Sequence, residues 1–259
     1  MAPISTPAIV LHTFPYGESS KIVRLATREH GVLSAIAKGA LRPKSRFGAR
    51  IQLLSEGIAQ LYMKQTRDLQ TLAEFDVENQ RVELSHDVAR FASASAVSEL
   101  VLRFSPEEPH PEIYQLLSAL LDILAEIEVS RLPEVSLASL WSIVTALGFA
   151  PALDGCAVDG RAIDSGDADF SVADGGFVCG MCARGRETAR LSADDRAALE
   201  FLARGGVAKL AEGGTWSLSS KHAAAHRRLL SRFVRLHVAE GRELQALEFW
   251  EGLPWLATS

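Results

Sequence analysis

Near residue 80 the spacing of apolar residues changes, and the change limits this chain to folds that join a sheet to a helical layer. Before it, apolar residues alternate over short runs; after it, they recur every three or four residues. Residues 9–14, 21–27 and 31–37 read as strands, the last two joined by the turn Arg28-Glu-His-Gly31. Residues 56–63 and 69–75 alternate in the same way. Five short strands in about 75 residues, with no helix-length pattern among them, suit a small closed barrel of the OB type.

Beyond the change, Val82, Leu84, Val88, Phe91, Val97, Leu100 and Leu102 fit one helix, and Ile113, Leu117, Leu120, Leu124 and Ile127 fit another. The proline-rich segment 104–111 separates them. Pro133 opens a third helix that runs through Leu147 and stops at Gly148. The expected architecture is a multidomain α+β chain in four parts. Residues 1–79 form the OB-fold barrel and 80–150 the first part of a helical bundle. Residues 151–186, rich in glycine and aspartate, hold all three cysteines as a zinc-ribbon-like insertion. Residues 187–259 complete the bundle, with a short helix near 194–202 and a long basic helix over 219–237.

Composition sets outer limits. The chain has 259 residues, 47% of them hydrophobic, enough for a sizeable core. Mean hydropathy is +0.09, yet no apolar run reaches the roughly 18 residues that a membrane span needs. The start, Met-Ala-Pro-Ile-Ser-Thr, lacks the basic end and apolar core of a signal peptide. A soluble cytosolic protein is expected. Cys156, Cys179 and Cys182 cannot all pair, which argues against a disulfide framework.

Charge is unevenly divided. The formal net charge is -5, but residues 1–70 carry ten Lys and Arg against four acids, a net of +6, so the rest sums to -11. Five cations and no acid fall in the thirteen residues Lys38-Gly-Ala-Leu-Arg42-Pro-Lys44-Ser-Arg46-Phe-Gly-Ala-Arg50. A phosphate-rich partner explains such a run in an acidic chain. It falls in the connection after the third strand, and an OB barrel with a cationic loop is a platform for single-stranded nucleic acid. Lys38, Arg42, Lys44 and Arg46 are the first candidates for nucleic-acid contact; Lys21, Arg24 and Arg50 come next. Among the barrel aromatics Phe14, Tyr16, Phe47, Tyr62 and Phe75, only Tyr16 and Phe47, read as loop residues, are expected to be available for stacking. That favours backbone contact over base readout.

A second cluster joins Lys221, Arg227, Arg228, Arg232 and Arg235 with His222 and His226. Arg228, Arg232 and Arg235 recur at i, i+4 and i+7 and share one helical face. That face is either a further nucleic-acid contact or a solvated surface paired with acids of the bundle.

The cysteines form the other constellation. Cys156 with Asp159, and Cys179 with Cys182, make two knuckles with two-residue gaps, about twenty residues apart, as in a structural zinc ribbon. Asp159 stands where a fourth thiolate is usual. A carboxylate oxygen is a competent but harder ligand. Two readings stand: a zinc site of Cys156, Asp159, Cys179 and Cys182, or a ribbon held by packing without metal.

No nucleophile elbow, P-loop or paired-carboxylate signature is present, and the seven histidines are scattered. Asp164, Asp167, Asp169 and Asp174 read as a solvated turn rather than as the metal-binding carboxylates of a nuclease. No catalytic residue is expected.

Together these parts resemble the RecO family of DNA repair proteins. The resemblance is carried by Ala8-Ile-Val-Leu-His, Tyr16-Gly-Glu-Ser-Ser-Lys21, Glu29-His-Gly31 and Lys38-Gly-Ala-Leu-Arg-Pro-Lys-Ser-Arg46. It continues in Leu147-Gly-Phe149, the three cysteines, and His226-Arg-Arg-Leu-Leu230. It implies an OB barrel, a helical bundle and an embedded zinc ribbon. It implies binding of single- and double-stranded DNA, annealing of complementary strands, and recombinase loading in the RecF pathway of recombinational repair. The implied partners are RecR and the acidic, apolar C-terminal tail of single-stranded DNA-binding protein. Arg103, Arg131 or the basic helix would supply the cation for that tail. The chain departs from the family's usual four cysteines at Asp159. The alternative is a zinc-ribbon adaptor that binds only proteins.

Overall fold

The alternating runs form five strands: β1 (Ile4–Tyr16), β2 (Ser20–Thr27), β3 (Gly31–Ala37), β4 (Glu56–Tyr62) and β5 (Leu69–Asn79). In the computed structural model, which describes residues 3–64, 66–214 and 216–254, they close into a barrel of order β1-β2-β3-β5-β4. Pairing is antiparallel except between β3 and β5. Inward positions are filled by Ala8, Val10, Val23, Leu25, Leu61, Leu72 and Phe75. Fully burying each larger side chain stabilises the barrel by roughly 1.5–3 kcal/mol relative to exposure. The β2–β3 turn needs Gly31, at φ +64°. The Thr27 hydroxyl locks that turn by donating to the Gly31 carbonyl at 2.8 Å. The expected barrel is therefore present, with longer first and last strands.

One irregularity in β1 re-aims its side chains. Val10 pairs with Leu25 and His12 with Arg24, so Leu11 has no partner in β2. A bulge of one residue reverses which side chains face inward. Ala8 and Val10 lie in the core. Past the bulge Thr13 pairs with the buried Val23, and His12, Phe14 and Tyr16 take the outer face.

The first unit, Met1–Glu126, also holds α1 (Glu83–His86), α2 (Val88–Phe104) and α3 (Pro111–Glu126). Asp87 caps α2 by accepting from the Arg90 amide at 2.9 Å. The two longer helices pack on the barrel, α2 on β1 and β2, α3 on β2. This buries Ile9 and Ala26, outward-facing partners in the β1–β2 register. Arg81 joins barrel to helix. Its buried guanidinium pairs with Glu56 of β4 and, at 2.6 Å, with Asp122 of α3.

The second unit, Ile127–Ser259, is built around α4 (Leu132–Ala146), which is buried on almost every side. A helix apolar all round belongs at a centre. Against it pack α5 (Ala193–Ala203), α6 (Gly206–Ala211) and α7 (Ser220–Phe233); α8 (Gln245–Gly252) packs on α7. Between α4 and α5 lies a small antiparallel sheet of β6 (Ala168–Ser171), β7 (Gly176–Val178) and β8 (Ala189–Leu191), ordered β7-β6-β8. Its aromatics Phe170 and Phe177 pack edge to face at 5.8 Å. Phe233 of α7 stands 6.4 Å from Phe170 and 5.2 Å from Trp141 of α4.

The long helix read over 219–237 is not α-helical throughout. It passes into a π-helical turn, Val234–Val238. The wider turn accommodates His237, which stacks on Phe233 at 4.6 Å and donates through Nε2 to the Val172 carbonyl at 2.5 Å. The helix is thereby fixed to the end of β6.

Candidate nucleic-acid interface and metal centre

The basic run is not a loose loop. Its backbone forms successive turns, with Arg42 N bonded to Gly39 O at 3.1 Å and Ser45 N to Arg42 O at 3.0 Å. Leu41 N bonds to Ser19 O, which ties the run to the β1–β2 hairpin. Ala40, Phe47 and Ile51 are packed into the barrel core. The segment therefore plugs the barrel with its apolar residues and presents the charged residues between them to solvent. Lys38, Arg42, Lys44 and Arg46 are all exposed, and none has an ion-pair partner among the described residues. Arg46 lies over the Phe47 ring, 5.3 Å from its centroid. Arg50 differs, being paired with Asp76 at 3.6 Å.

Lys21 and Arg24 sit on β2, half-buried. Arg24 is on the outer face, in register with His12 on one side and Ser34 on the other. Its Nε is buried without a hydrogen-bond partner among the described residues. Lys21 pairs in register with Pro15 and Ala37. The fold thus brings Lys38 and Arg42 to the same end of the barrel as the β1–β2 hairpin. Tyr16, Ser20, Ile36, Lys38 and Arg42 line one concavity of about 410 Å³.

The aromatic expectation needs correction. Phe47 is 1% exposed and belongs to the core, whereas Phe14 is 40%, Tyr16 50% and Tyr62 42% exposed. Tyr16 ends β1 rather than standing in a loop. Simple alternation along β1 would place Phe14 in the core, and the bulge at Leu11 is what turns it out. The signal was in the sequence: four consecutive apolar residues, Ala8-Ile-Val-Leu11, do not alternate.

The second cationic cluster is neutralised in part. Arg232 pairs with Glu187 at 2.5 Å and Arg235 with Glu251 at 2.6 Å, while Arg228 is exposed. Both arginines are solvent-exposed, so each pair contributes only about 0–1 kcal/mol and its cation can change partner. Arg227, counted with the cluster, is buried; burial and then Arg228 pull its guanidinium down to about 10. His222 contacts Asp195 at 2.5 Å. His226 is buried 3.5 Å from the same carboxylate. Of the cations suggested for a partner tail, Arg103 is exposed near the end of α2, and Arg131 donates to the Trp216 carbonyl at 3.3 Å.

The cysteine knuckles converge. One ligand atom each from Cys156, Asp159, Cys179 and Cys182 lies within 4.8 Å of all the others. The Asp159 Oδ2 stands 3.4 Å from Cys182 Sγ and 3.7 Å from Cys179 Sγ. Zinc bonds of about 2.0–2.3 Å in a tetrahedron imply ligand-to-ligand edges of about 3.5–3.8 Å. The two Asp159–cysteine separations match such edges, so the donor set is compatible with a zinc ion. β7 delivers Cys179, and the amide of Ala157, next to Cys156, bonds to the Phe177 carbonyl at 2.7 Å. Hydrogen bonds from Cys156 and then the Arg161 amide hold the Asp159 carboxyl below the usual range, keeping it ionised as a ligand must be. The paired thiols split. Backbone donation from Cys182 lowers Cys179, while desolvation and then Cys179 push Cys182 up to about 12.

Comparison with known proteins bears on the whole of this arrangement. The family model described as Recombination protein O N terminal matches residues 1–81, the barrel and its exit. The model described as Recombination protein O C terminal matches residues 85–245. The chain belongs to the recombination protein O family. The DNA repair protein RecO of Anaeromyxobacter dehalogenans (strain 2CP-C) is 32% identical over 250 residues, 95% of each chain. That of Symbiobacterium thermophilum is 33% identical over 258 residues, 98% of each chain. That of Salinibacter ruber is 38% identical over 177 residues, covering 67% of this chain and 66% of its own. The resemblance carried by the basic run and the cysteines is thus a family relationship along the chain, and the family is one of DNA repair. No helix among the described residues is long and apolar enough to cross a membrane.

Proposed function

We propose that this protein binds single- and double-stranded DNA, anneals complementary strands, and helps load recombinase in recombinational repair without covalent chemistry of its own. RecR and the acidic tail of single-stranded DNA-binding protein are the partners that suit this role, and the nucleoid is its place of action. The observation that carries the reading is the basic run: four exposed cations, with no ion-pair partner among the described residues, on a segment anchored in the barrel by Phe47 and Ile51. Anchoring lowers the ordering cost of meeting phosphates. Annealing requires two polyanions to approach, and cations on one scaffold neutralise both. Arg228, Arg232 and Arg235 offer a weaker second surface, since two of them must leave Glu187 and Glu251 to meet DNA.

A protein-only adaptor is separated from this reading by salt. Single-strand affinity, measured by anisotropy between 50 and 200 mM salt, is expected to fall along a log–log line of slope about -3, since each phosphate contact contributes about -0.7 on a single strand. A flat line, or no binding at low salt, would favour the adaptor.

We also propose that zinc occupies the Cys156, Asp159, Cys179, Cys182 site. Bound there, it would tie the two knuckles together and stabilise the ribbon without chemistry on a substrate. Purified protein is expected to carry zinc, and Cys179→Ser to lose it. Asp159→Cys is expected to withstand a chelator longer, because a fourth thiolate is the softer ligand. Protein free of zinc whose melting is unchanged by Cys179→Ser would refute the site.

A further inference from the structure

Next to the cationic run, the outer face of β1, β2 and β3 carries an apolar strip that phosphate contact alone leaves without a role. Past the bulge, Phe14, Ile22 and Ile36 are register partners across the three strands. Tyr16 stands two residues along β1, about 7 Å from Phe14 at strand spacing, and lines the concavity that also holds Lys38 and Arg42. The two rings are 40% and 50% exposed. His12 stacks edge-on to Phe14 at 5.8 Å. Arg24, in the adjacent row, has its buried Nε unpartnered among the described residues, and a buried donor without an acceptor marks a place for one. One acid, Glu18, lines the concavity beside these cations.

We propose that this strip takes the unpaired bases of single-stranded nucleic acid: bases stack on Phe14 and Tyr16 while Lys38 and Arg42 hold the flanking phosphates. The inference rests on the reading of the basic run as a phosphate contact, and adds what that run alone does not give. Phosphates are common to single strands and duplexes; exposed base faces are not. In a duplex the base faces are already stacked on one another, so only a single strand gains from the rings. Every base has a π-face, so the strip reads strandedness rather than sequence. On annealing, the bases leave the rings to pair, and the duplex loses this part of its hold. The protein then retains reactant strands more tightly than the product.

The experiment measures binding of a short labelled single strand and of an abasic oligonucleotide of the same length by anisotropy across a salt series. Proteins are the native chain, Phe14→Leu and Tyr16→Leu. Leucine keeps an apolar side chain at an exposed position and removes only the ring face. Each variant is expected to bind the base-bearing strand about tenfold more weakly, from a stacking contribution of about 1–3 kcal/mol per base. The salt slope should stay unchanged, and binding of the abasic strand should match that of the native chain. Native protein that holds abasic and base-bearing strands equally would overturn the inference and leave the basic run as a backbone contact. Variants that bind as the native chain does, or that lose salt slope together with affinity, would overturn it as well. Native protein that binds neither strand at low salt would remove the underlying reading too.

Discussion

A protein in which Lys38, Arg42, Lys44 and Arg46 are all replaced by alanine is expected to bind single-stranded DNA about a hundredfold more weakly at 50 mM salt, with its salt slope reduced by about 3. The magnitude follows from counterion release: four lost phosphate contacts remove about 0.7 each from the slope. The loss should be greatest at low salt and shrink as salt rises. These side chains project from a segment whose fold depends on Ala40, Phe47 and Ile51, and none of the four has an ion-pair partner among the described residues. Thermal stability is therefore expected to stay close to that of the native chain. Unchanged slope would remove the segment from the interface. A matching change at Arg232 and Arg235 should do less, since Glu187 and Glu251 already neutralise those two.

The largest effect on stability is expected at Arg81. Its side chain is 1% exposed and pairs with Glu56, itself 17% exposed, and with Asp122. The guanidinium also donates to the Leu54 carbonyl at 3.2 Å and to the Ser118 hydroxyl at 3.0 Å. Glu56 accepts further bonds from Tyr114 and Ser118, both at 2.6 Å. The main chain accommodates this at φ +46°, a left-handed conformation rarely taken by a non-glycine residue. Arg81→Ala removes one partner and leaves the Glu56 carboxylate buried without its cation, which costs about 3–5 kcal/mol. Urea unfolding should show that loss; a change under about 1 kcal/mol, as for an exposed pair, would show that the network does not join barrel and helices.

The same network gives a pH dependence of definite sign. Burial raises the Glu56 carboxyl, but donation from Ser118, Tyr114 and Arg81 outweighs it and leaves the group below its ordinary value. A depressed folded-state value stabilises the fold above the unfolded carboxylate value, about 4.3. The contribution is lost as pH falls through the folded value. Native protein should therefore weaken on acidification below about pH 4.3, and Glu56→Gln should flatten part of that decline.

The barrel was legible because alternation is a local property of each strand, set by inward residues such as Val23, Leu25, Leu61 and Leu72. Its bulge left only an indirect trace, the unbroken apolar run Ala8-Ile-Val-Leu11, because which residue is left out is decided by the pairing with β2. Hence alternation alone puts Phe14 inside, and the bulge puts it outside. Phe47 erred in the opposite sense. Flanked by Arg46 and Gly48, it has no periodicity to reveal that the barrel needs a plug. The candidate metal ligands were readable because two-residue gaps are a geometric requirement of the knuckle. The strands that position them are only three or four residues long, too short to show a period. The basic helix was found, but its neutralisation depends on Glu187, 45 residues from Arg232 in sequence. Charge spacing along one helix holds no record of a partner so far away.

The central claim is that cations anchored on the barrel hold two strands together. Its most direct test is the annealing of complementary oligonucleotides coated with single-stranded DNA-binding protein, followed by fluorescence transfer with native protein and with the Lys38, Arg42, Lys44 and Arg46 alanine variant. The expected result is acceleration by the native chain at low salt and little or none by the variant. Equal rates with native protein, with variant and with no added protein would contradict the account.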